Sequence, residues 1–356
     1  MKFITPVRQP PGASLTGQVY HHIRQEFGVV ADPFRLHAPV PVLLAAIWSA
    51  TREIGVAQQV PWPVKEAIAA AVSQSNQCPY CVEIHGAVAS VLSDQPLAPL
   101  LMHERTADIA DPTLRGIVTW AQATRTAGSA AVLHPPCTAS TAPEIIGTAI
   151  TYHYINRLVQ IFLPASLLPA LFHQGWPGSV AWRLIARKLA RSREHVRVAG
   201  SSLRFVPAAD LPSEFSWAAA SPTISRALAG WAAVIDGIGA GLLTPQVRAT
   251  VIGFLHTWQG EQMPLSRSWV NTAIAQLPDA DQAVGTLALL TAVAPHQIDA
   301  EIVGTFRLHQ PTDAQFVGVT AWASFQAARR IASWLRAPAE TEQGDHLQHT
   351  LGQPAV

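Results

Sequence analysis

Glu66, Cys78, Cys81 and His85 lie at the spacing E-x11-C-x2-C-x3-H in a chain of 356 residues that holds only three cysteines. Cys78 and Cys81 are three apart, and Cys81 and His85 four apart, so on a helix the three side chains share one face. The segment reads as a redox site. A polar break over Ser73 to Asn76, with Ser75 or Asn76 as N-cap, would put both cysteines in the first turn of a helix running to about Leu92. A helix N-terminus favours negative charge and can draw a cysteine pKa from ~8.5 down to about 3.5 to 7.5. Thiolate is therefore expected at neutral pH. His85, with an ordinary pKa near ~6.5, can take or return a proton, and Glu66 can orient it or relay from the preceding helix. Glu83 projects from the opposite side of the helix and is left out of the site.

Other chemistries of a C-x-x-C pair fit less well. Structural zinc needs about four ligands, and beyond this pair the chain offers Cys137 and scattered histidines. Covalent haem attachment needs His directly after the second Cys, where Val82 stands. A thioredoxin fold would precede the pair with a strand, but an alanine-rich helix precedes this one. Two buried structural cysteines beside a core histidine are the inert alternative. No metal and no cofactor is expected.

The elements that must position these groups read as helices. Apolar Leu43, Leu44, Ile47 and Ile54, with Trp48, recur at helical spacing over Val42 to Ile54. Pro61 and Pro63 suit a helix start, and the alanine-rich run that follows carries Glu66 to about Val72. Further helices are expected over 15–27, 111–129 and 143–163. Arg183, Arg187, Lys188, Arg191, Arg193 and Arg197 form a basic cluster read as a solvated face or an interface. From about 225 the chain repeats in degraded form, with 245–258 similar to 63–72 and 313–335 to 143–163. A shift of about 183 residues sets Ala249, Glu261, Pro264 and Ser268 opposite Glu66, Cys78, Cys81 and His85. The expected organisation is an N-terminal arm (1–41), a catalytic lobe (42–175), a connecting segment with the basic helix (176–235), a degenerate second lobe (236–338) and a polar tail (339–356).

Composition bounds the rest. The chain is 49% hydrophobic and 13% charged, with mean hydropathy +0.20, which favours compact all-α packing. A net charge of +1 gives no reason to expect nucleic acid. No export signal is expected from the N-terminal stretch, which breaks at Pro6 before any apolar region of signal-peptide length. The longest apolar span, Leu158 to Phe172, is broken by Gln160, Pro164, Ser166 and Pro169 and falls short of the ~20 residues a membrane helix needs. One C-x-x-C among three cysteines suits a reducing compartment. A cytoplasmic protein without membrane partners is expected.

The E-x11-C-x2-C-x3-H pattern on consecutive helices resembles the alkylhydroperoxidase D group of the carboxymuconolactone decarboxylase superfamily, an all-helical fold. The run YINRL at 154–158 is similar to the aromatic-x-Asn-Arg-Leu segment of a later helix in that fold. The resemblance covers about 42–165. It implies that Cys81 attacks a hydroperoxide and becomes a sulfenic acid, that Cys78 resolves it to a disulfide, and that Glu66 and His85 relay protons. It also implies an external dithiol reductant on a lipoyl-bearing partner. A homo-oligomer is expected, although the long chain departs from the short enzymes of the group. On helix-dipole grounds alone Cys78 could be the first nucleophile. Some members carry His where this chain has Tyr80, so a charge that favours thiolate is missing, and Pro79 stiffens the turn between the cysteines. The function implied is a thiol-dependent peroxidase or disulfide reductase in antioxidant defence. A lactone decarboxylase and a non-enzymatic redox-sensing helical protein are the alternatives. Asn156 and Arg157 are expected to bond within the fold, and Cys137 to be a bystander.

Overall fold

Prolines and short polar caps set where the helices begin. A computed structural model describes residues 1–93, 96–166 and 197–338. The N-terminal half contains α1 (Leu15–Phe27), α2 (Asp32–Arg35), α3 (Pro41–Val56), α4 (Trp62–Ser75), α5 (Pro79–Ser93), α6 (Leu97–Met102), α7 (Pro112–Ala123), α8 (Ala130–Leu133) and α9 (Ala142–Phe162). The C-terminal half contains α10 (Pro222–Leu242), α11 (Pro245–Thr257), α12 (Ser268–Ile274), α13 (Asp279–Val293), α14 (Ala300–Arg307) and α15 (Asp313–Ala332). The fold is all-α, with no strand among the described residues. Helices α3, α7, α10 and α11 each carry Pro in the first turn, where its missing N–H costs no bond. Ser14, Asp111, Thr244, Asp299 and Thr312 cap their helices through side-chain oxygens, each cap contributing about 1 kcal/mol.

Helix α1 matches its expected bounds. The expected break at Ser73 does not occur, because α4 continues to Ser75. Residue 236, where the second lobe was expected to begin, lies inside α10. Five of the basic residues, Arg183, Arg187, Lys188, Arg191 and Arg193, and the polar tail fall outside the described residues. No described helix is long and apolar enough to cross a membrane.

Helix α9 is the axis of the core. It is buried along nearly its whole length, polar Glu144, His153, Asn156 and Arg157 included. It packs against α3 and α4 on one side and α15 on the other. A smaller cluster of Val19, Tyr20, Ile23, Leu44 and Trp48 seats α1 on α3. The end of α1 is fixed by charge as well as by apolar contact. Arg52, fully buried, bonds Glu26 at 2.8 Å and Glu53 at 2.7 Å, and its Nη2 donates to the carbonyl of Val198. Glu53 in turn accepts from Gly200 N–H and Ser202 Oγ. Loss of one member would strand a buried charge, at a cost of about 3 to 5 kcal/mol.

A second buried pair sets the start of α4. Lys65 Nζ lies 2.5 Å from Glu144 on α9 and donates to the carbonyls of Ile54 and Ala57. Glu144 also accepts the N–H groups of Gln59 and Val60. The α3–α4 loop is thereby held against α9, and the residue after Lys65 is Glu66.

Candidate active site

Between α4 and α5 the chain reverses over Asn76, Gln77 and Cys78. Gln77 takes φ +55, its N–H bonds Gln74 O, and Cys78 N–H bonds Ser73 O, each at 2.9 Å. This is the paired closure of a helix C-terminus that glycine usually serves, and a glutamine there carries about 1 kcal/mol of strain. Neither Ser75 nor Asn76 caps α5, contrary to expectation. Ser75 Oγ donates back to Val72 O, and the Asn76 amide turns inward to His153 Nδ1 at 3.1 Å and Asn156 Oδ1 at 3.0 Å. Cys78 stands immediately before α5, its carbonyl accepting the N–H groups of Cys81 and Val82 at 3.1 Å.

Both thiols are reduced and 1% exposed. At Cys81 the surroundings oppose the thiolate expected from a helix N-terminus. Burial pushes its pKa well above 9.0, and a hydrogen bond with the Cys78 thiol and that sulfur's charge push the same way. Asn156, hydrogen-bonded to the sulfur, acts in the opposite direction, with Ser73 Oγ also placed against it. The favourable helix terminus is outweighed because α4 and α9 close over the sulfur and remove water.

Asn156 is held in place by its neighbours. Its Oδ1 accepts from Asn76, and its Nδ2 donates to Ser73 Oγ at 3.0 Å, while Ser73 Oγ donates to Ala69 O. Behind Asn76, His153 Nε2 lies 2.8 Å from Thr124 Oγ1, whose own proton goes to Ala121 O. His153 therefore donates from Nε2 and accepts at Nδ1. Burial, then the charges of Arg157 and Arg125, hold it neutral, with its pKa well below 6.5.

On the other side of Cys81, His85 Nδ1 lies 2.7 Å from Glu66 Oε2, with Glu66 only 4% exposed. A carboxylate on Nδ1 fixes that proton and leaves Nε2 as the basic nitrogen. Tyr152 of α9 packs its ring edge-on against the imidazole, centroids 4.6 Å apart, and sets its hydroxyl 3.4 Å from Nδ1. Tyr80 is buried and its pKa is raised, first by burial, so it stays neutral and supplies no charge to the thiols.

These groups open onto a cavity of about 370 Å³. Cys81, Glu66, His85 and Tyr152 line it, whereas Cys78 does not. Its walls include Phe34, Trp62, Ile84, Val88 and Ile155, and residues 27–35 of the N-terminal arm form one side. Of the four residues singled out by spacing, Glu66 on α4 and Cys81 and His85 on α5 line the cavity, and Cys78, one residue before α5, lies beside Cys81 and off the lining. Ser73, Tyr152 and Asn156 complete the surroundings of the two reactive groups. The spacing of Tyr152 and Asn156, four apart on one helix, was the available signal for the last two. Among the described residues no group of three or more His, Cys, Asp or Glu is placed to hold a metal.

No family model matches the chain. A protein of Mycobacterium tuberculosis (strain ATCC 25618 / H37Rv) named alkyl hydroperoxide reductase Rv2159c is 36% identical over 348 residues, 96% of this chain and 97% of that protein. The similarity runs nearly end to end and so includes the arm, the thiol segment and the C-terminal half. With that extent of identity and an all-helical fold, the chain belongs to the alkylhydroperoxidase D-like family.

Proposed function

We propose that the protein is a thiol-dependent peroxidase in which Cys81 attacks an organic hydroperoxide and Cys78 resolves the product. The observation that carries this reading is the cavity lined by Cys81 together with the Glu66–His85 pair. Because burial keeps Cys81 protonated, the reaction needs a base at the moment of attack. His85, one helical turn from Cys81, takes the thiol proton on Nε2 while Glu66 steadies the imidazolium. The Asn156 amide supports the anion on sulfur.

The thiolate then attacks the terminal oxygen of the hydroperoxide. An S–O bond forms, the O–O bond breaks, and the alkoxide leaves with the proton held by His85, giving an alcohol and a Cys81 sulfenic acid. Cys78 attacks the Cys81 sulfur next. The disulfide forms, the S–O bond breaks, and water leaves with the Cys78 proton. An external dithiol, proposed to be lipoyl-borne, returns two electrons and two protons. The C-terminal half, read as a second lobe, carries none of these groups at the aligned positions and acts as scaffold.

The test is peroxide consumption with dihydrolipoamide as reductant. Cys81→Ser is expected to lose at least about 1,000-fold, and His85→Ala and Glu66→Gln about 100-fold. Equal consumption by wild type and Cys81→Ser would overturn the proposal, and disulfide formation without turnover would leave a redox sensor. The pH profile has a definite sign. The reacting state holds one proton between Cys81 and His85, so the wild-type rate should not track the thiolate fraction from about pH 7 to 9, whereas His85→Ala, left with a thiol whose pKa burial raises, should be slower and climb with pH across that range.

A further inference from the structure

We infer that His37 and Tyr154, neither of which lines the cavity, hold its arm wall at the spacing that suits a hydroperoxide with a bulky apolar body, and so set which substrate is taken without touching it. The inference rests on the peroxidase reading of the cavity and gives the C-terminal half of the chain a part in it.

The wall concerned is α2, four residues long and without a side-chain cap. A single helical turn does not sustain itself, so its place depends on what it is tied to. Asp32, Pro33, Phe34 and Arg35 all line the cavity. The Phe34 ring packs edge-on against Trp48 of α3, centroids 5.4 Å apart, and Leu36, next in the chain, is fully buried. Apolar contact of this kind is non-directional. The directional tie is His37, whose Nδ1 lies 2.8 Å from Pro33 O. A carbonyl only accepts, so Nδ1 carries the proton, and Nε2 accepts from the Tyr154 hydroxyl at 2.9 Å. Among the described residues no other side chain hydrogen-bonds the backbone of α2. Both His37 and Tyr154 are fully buried. Burial draws the His37 pKa down to about 3, so the ring stays neutral and keeps this tautomer at ordinary pH.

The far end of this relay is fixed by the C-terminal half. Trp231 of α10 meets the Tyr154 ring edge-on with centroids 4.8 Å apart, and Phe325 of α15 does so at 6.2 Å. Ser324 Oγ of α15 donates to Tyr154 O at 2.8 Å. Tyr152 and Ile155, on either side of Tyr154 in α9, line the cavity. Helix α9 thus supplies one part of the lining and, through His37, tethers another. The cavity of about 370 Å³ is far larger than hydrogen peroxide requires, since a water takes about 30 Å³. Hydrogen peroxide is small enough to meet Cys81 without leaning on the arm, whereas a ring or branched chain on the peroxide must lie against Phe34 and its neighbours. A displaced α2 therefore weakens binding of the large substrate and leaves the small one, and the chemistry at Cys81, as they were.

The test compares wild type with Tyr154→Phe, which keeps the ring packing and removes the donor, with His37→Leu, and with the two combined. With dihydrolipoamide as reductant, KM for cumene hydroperoxide is expected to rise about fivefold in Tyr154→Phe and about tenfold in His37→Leu, kcat and the kcat/KM for hydrogen peroxide each staying within about twofold. The double variant should be no worse than His37→Leu, because both changes cut one relay. Calorimetric titration with cumyl alcohol, the product of cumene hydroperoxide, should show the same loss of affinity with no reaction involved. Wild-type KM and alcohol Kd in the single variants, losses that fall equally on the two peroxides, or losses that add in the double variant would each overturn the inference. Tyr154→Phe alone decides if His37→Leu does not fold. If wild type consumes neither peroxide, the peroxidase reading falls, and the alcohol decides this inference by itself: no binding to wild type, or equal binding to wild type and Tyr154→Phe, overturns it.

Discussion

Between α4 and α5 the chain reverses in three residues and buries both thiols. Between α11 and α12, which the expected shift of about 183 residues sets opposite α4 and α5, it takes Trp258 to Arg267. The second connection is held by Trp258 Nε1 on Glu261 O and by Gln259 N–H on Glu261 Oε2. Gln259, Glu261 and Gln262 are exposed, and the helix that follows has only seven residues. The difference teaches what the chemistry requires. Two thiols and an imidazole can share one dry face only if the reversal is short enough to start α5 at once under α9. The longer connection instead covers the end of α7, where Gln259 O accepts Ala127 N–H at 3.0 Å and Gly260 O accepts from Arg125.

Three substitutions would break or sharpen that contrast. The largest effect is expected at Gly260, which has φ +97 and lies so close to α7 that a Cβ would sit 1.7 Å from Arg125 O. Gly260→Ala should cost about 3 kcal/mol of unfolding free energy in urea. A loss under about 1 kcal/mol would show that the connection yields freely. Next is Asn156→Ala in a Cys78→Ser background. Iodoacetamide alkylation of Cys81 at pH 8 should slow about tenfold, with the ionisation midpoint moving up about one unit. A purely structural residue would lower stability without moving that midpoint. The smallest effect belongs to Gln77→Gly, which relieves the left-handed glutamine and should add up to about 1 kcal/mol of stability. A destabilised variant would mean that the Gln77 side chain contributes more than its backbone costs.

These expectations also mark where sequence reasoning succeeds. The nearness of Cys81 and His85 was legible because helical spacing places them on one face of α5 with no tertiary knowledge, while the positions of Cys78, just before α5, and Glu66, on α4, depend on the short reversal between the helices. The bounds of α1 were legible because Ser14 caps it and Gly28 ends it with φ 73. The ionisation of Cys81 was not, since it depends on α9 and on Asn156, far along the chain. The helix dipole acts locally, and at Cys81 the loss of water outweighs it. Gln77 in a glycine conformation has no local signature. The arm was recognised, but its contribution of Phe34 and its neighbours to the cavity wall follows from how α1 docks on α3, a contact between distant segments.

That arm also has a position in time. Its first residues are held by the far end of the chain: Arg307 Nη2 donates to Phe3 O at 2.6 Å, and Thr5 N–H donates to Asp313 Oδ2, 308 residues away, at 2.8 Å. During synthesis at about 10 residues per second, those partners emerge on the order of half a minute after the arm. The end of α1, likewise, waits for Val198 to Ser202 before Arg52 and Glu53 have all their partners. The thiols at 78 and 81 are therefore translated well before the wall that encloses them is anchored. A nascent chain passes through an interval in which both sulfurs are open on every side to any oxidant or thiol nearby, whereas in the finished protein Cys81 is met through the cavity and Cys78 lies off its lining.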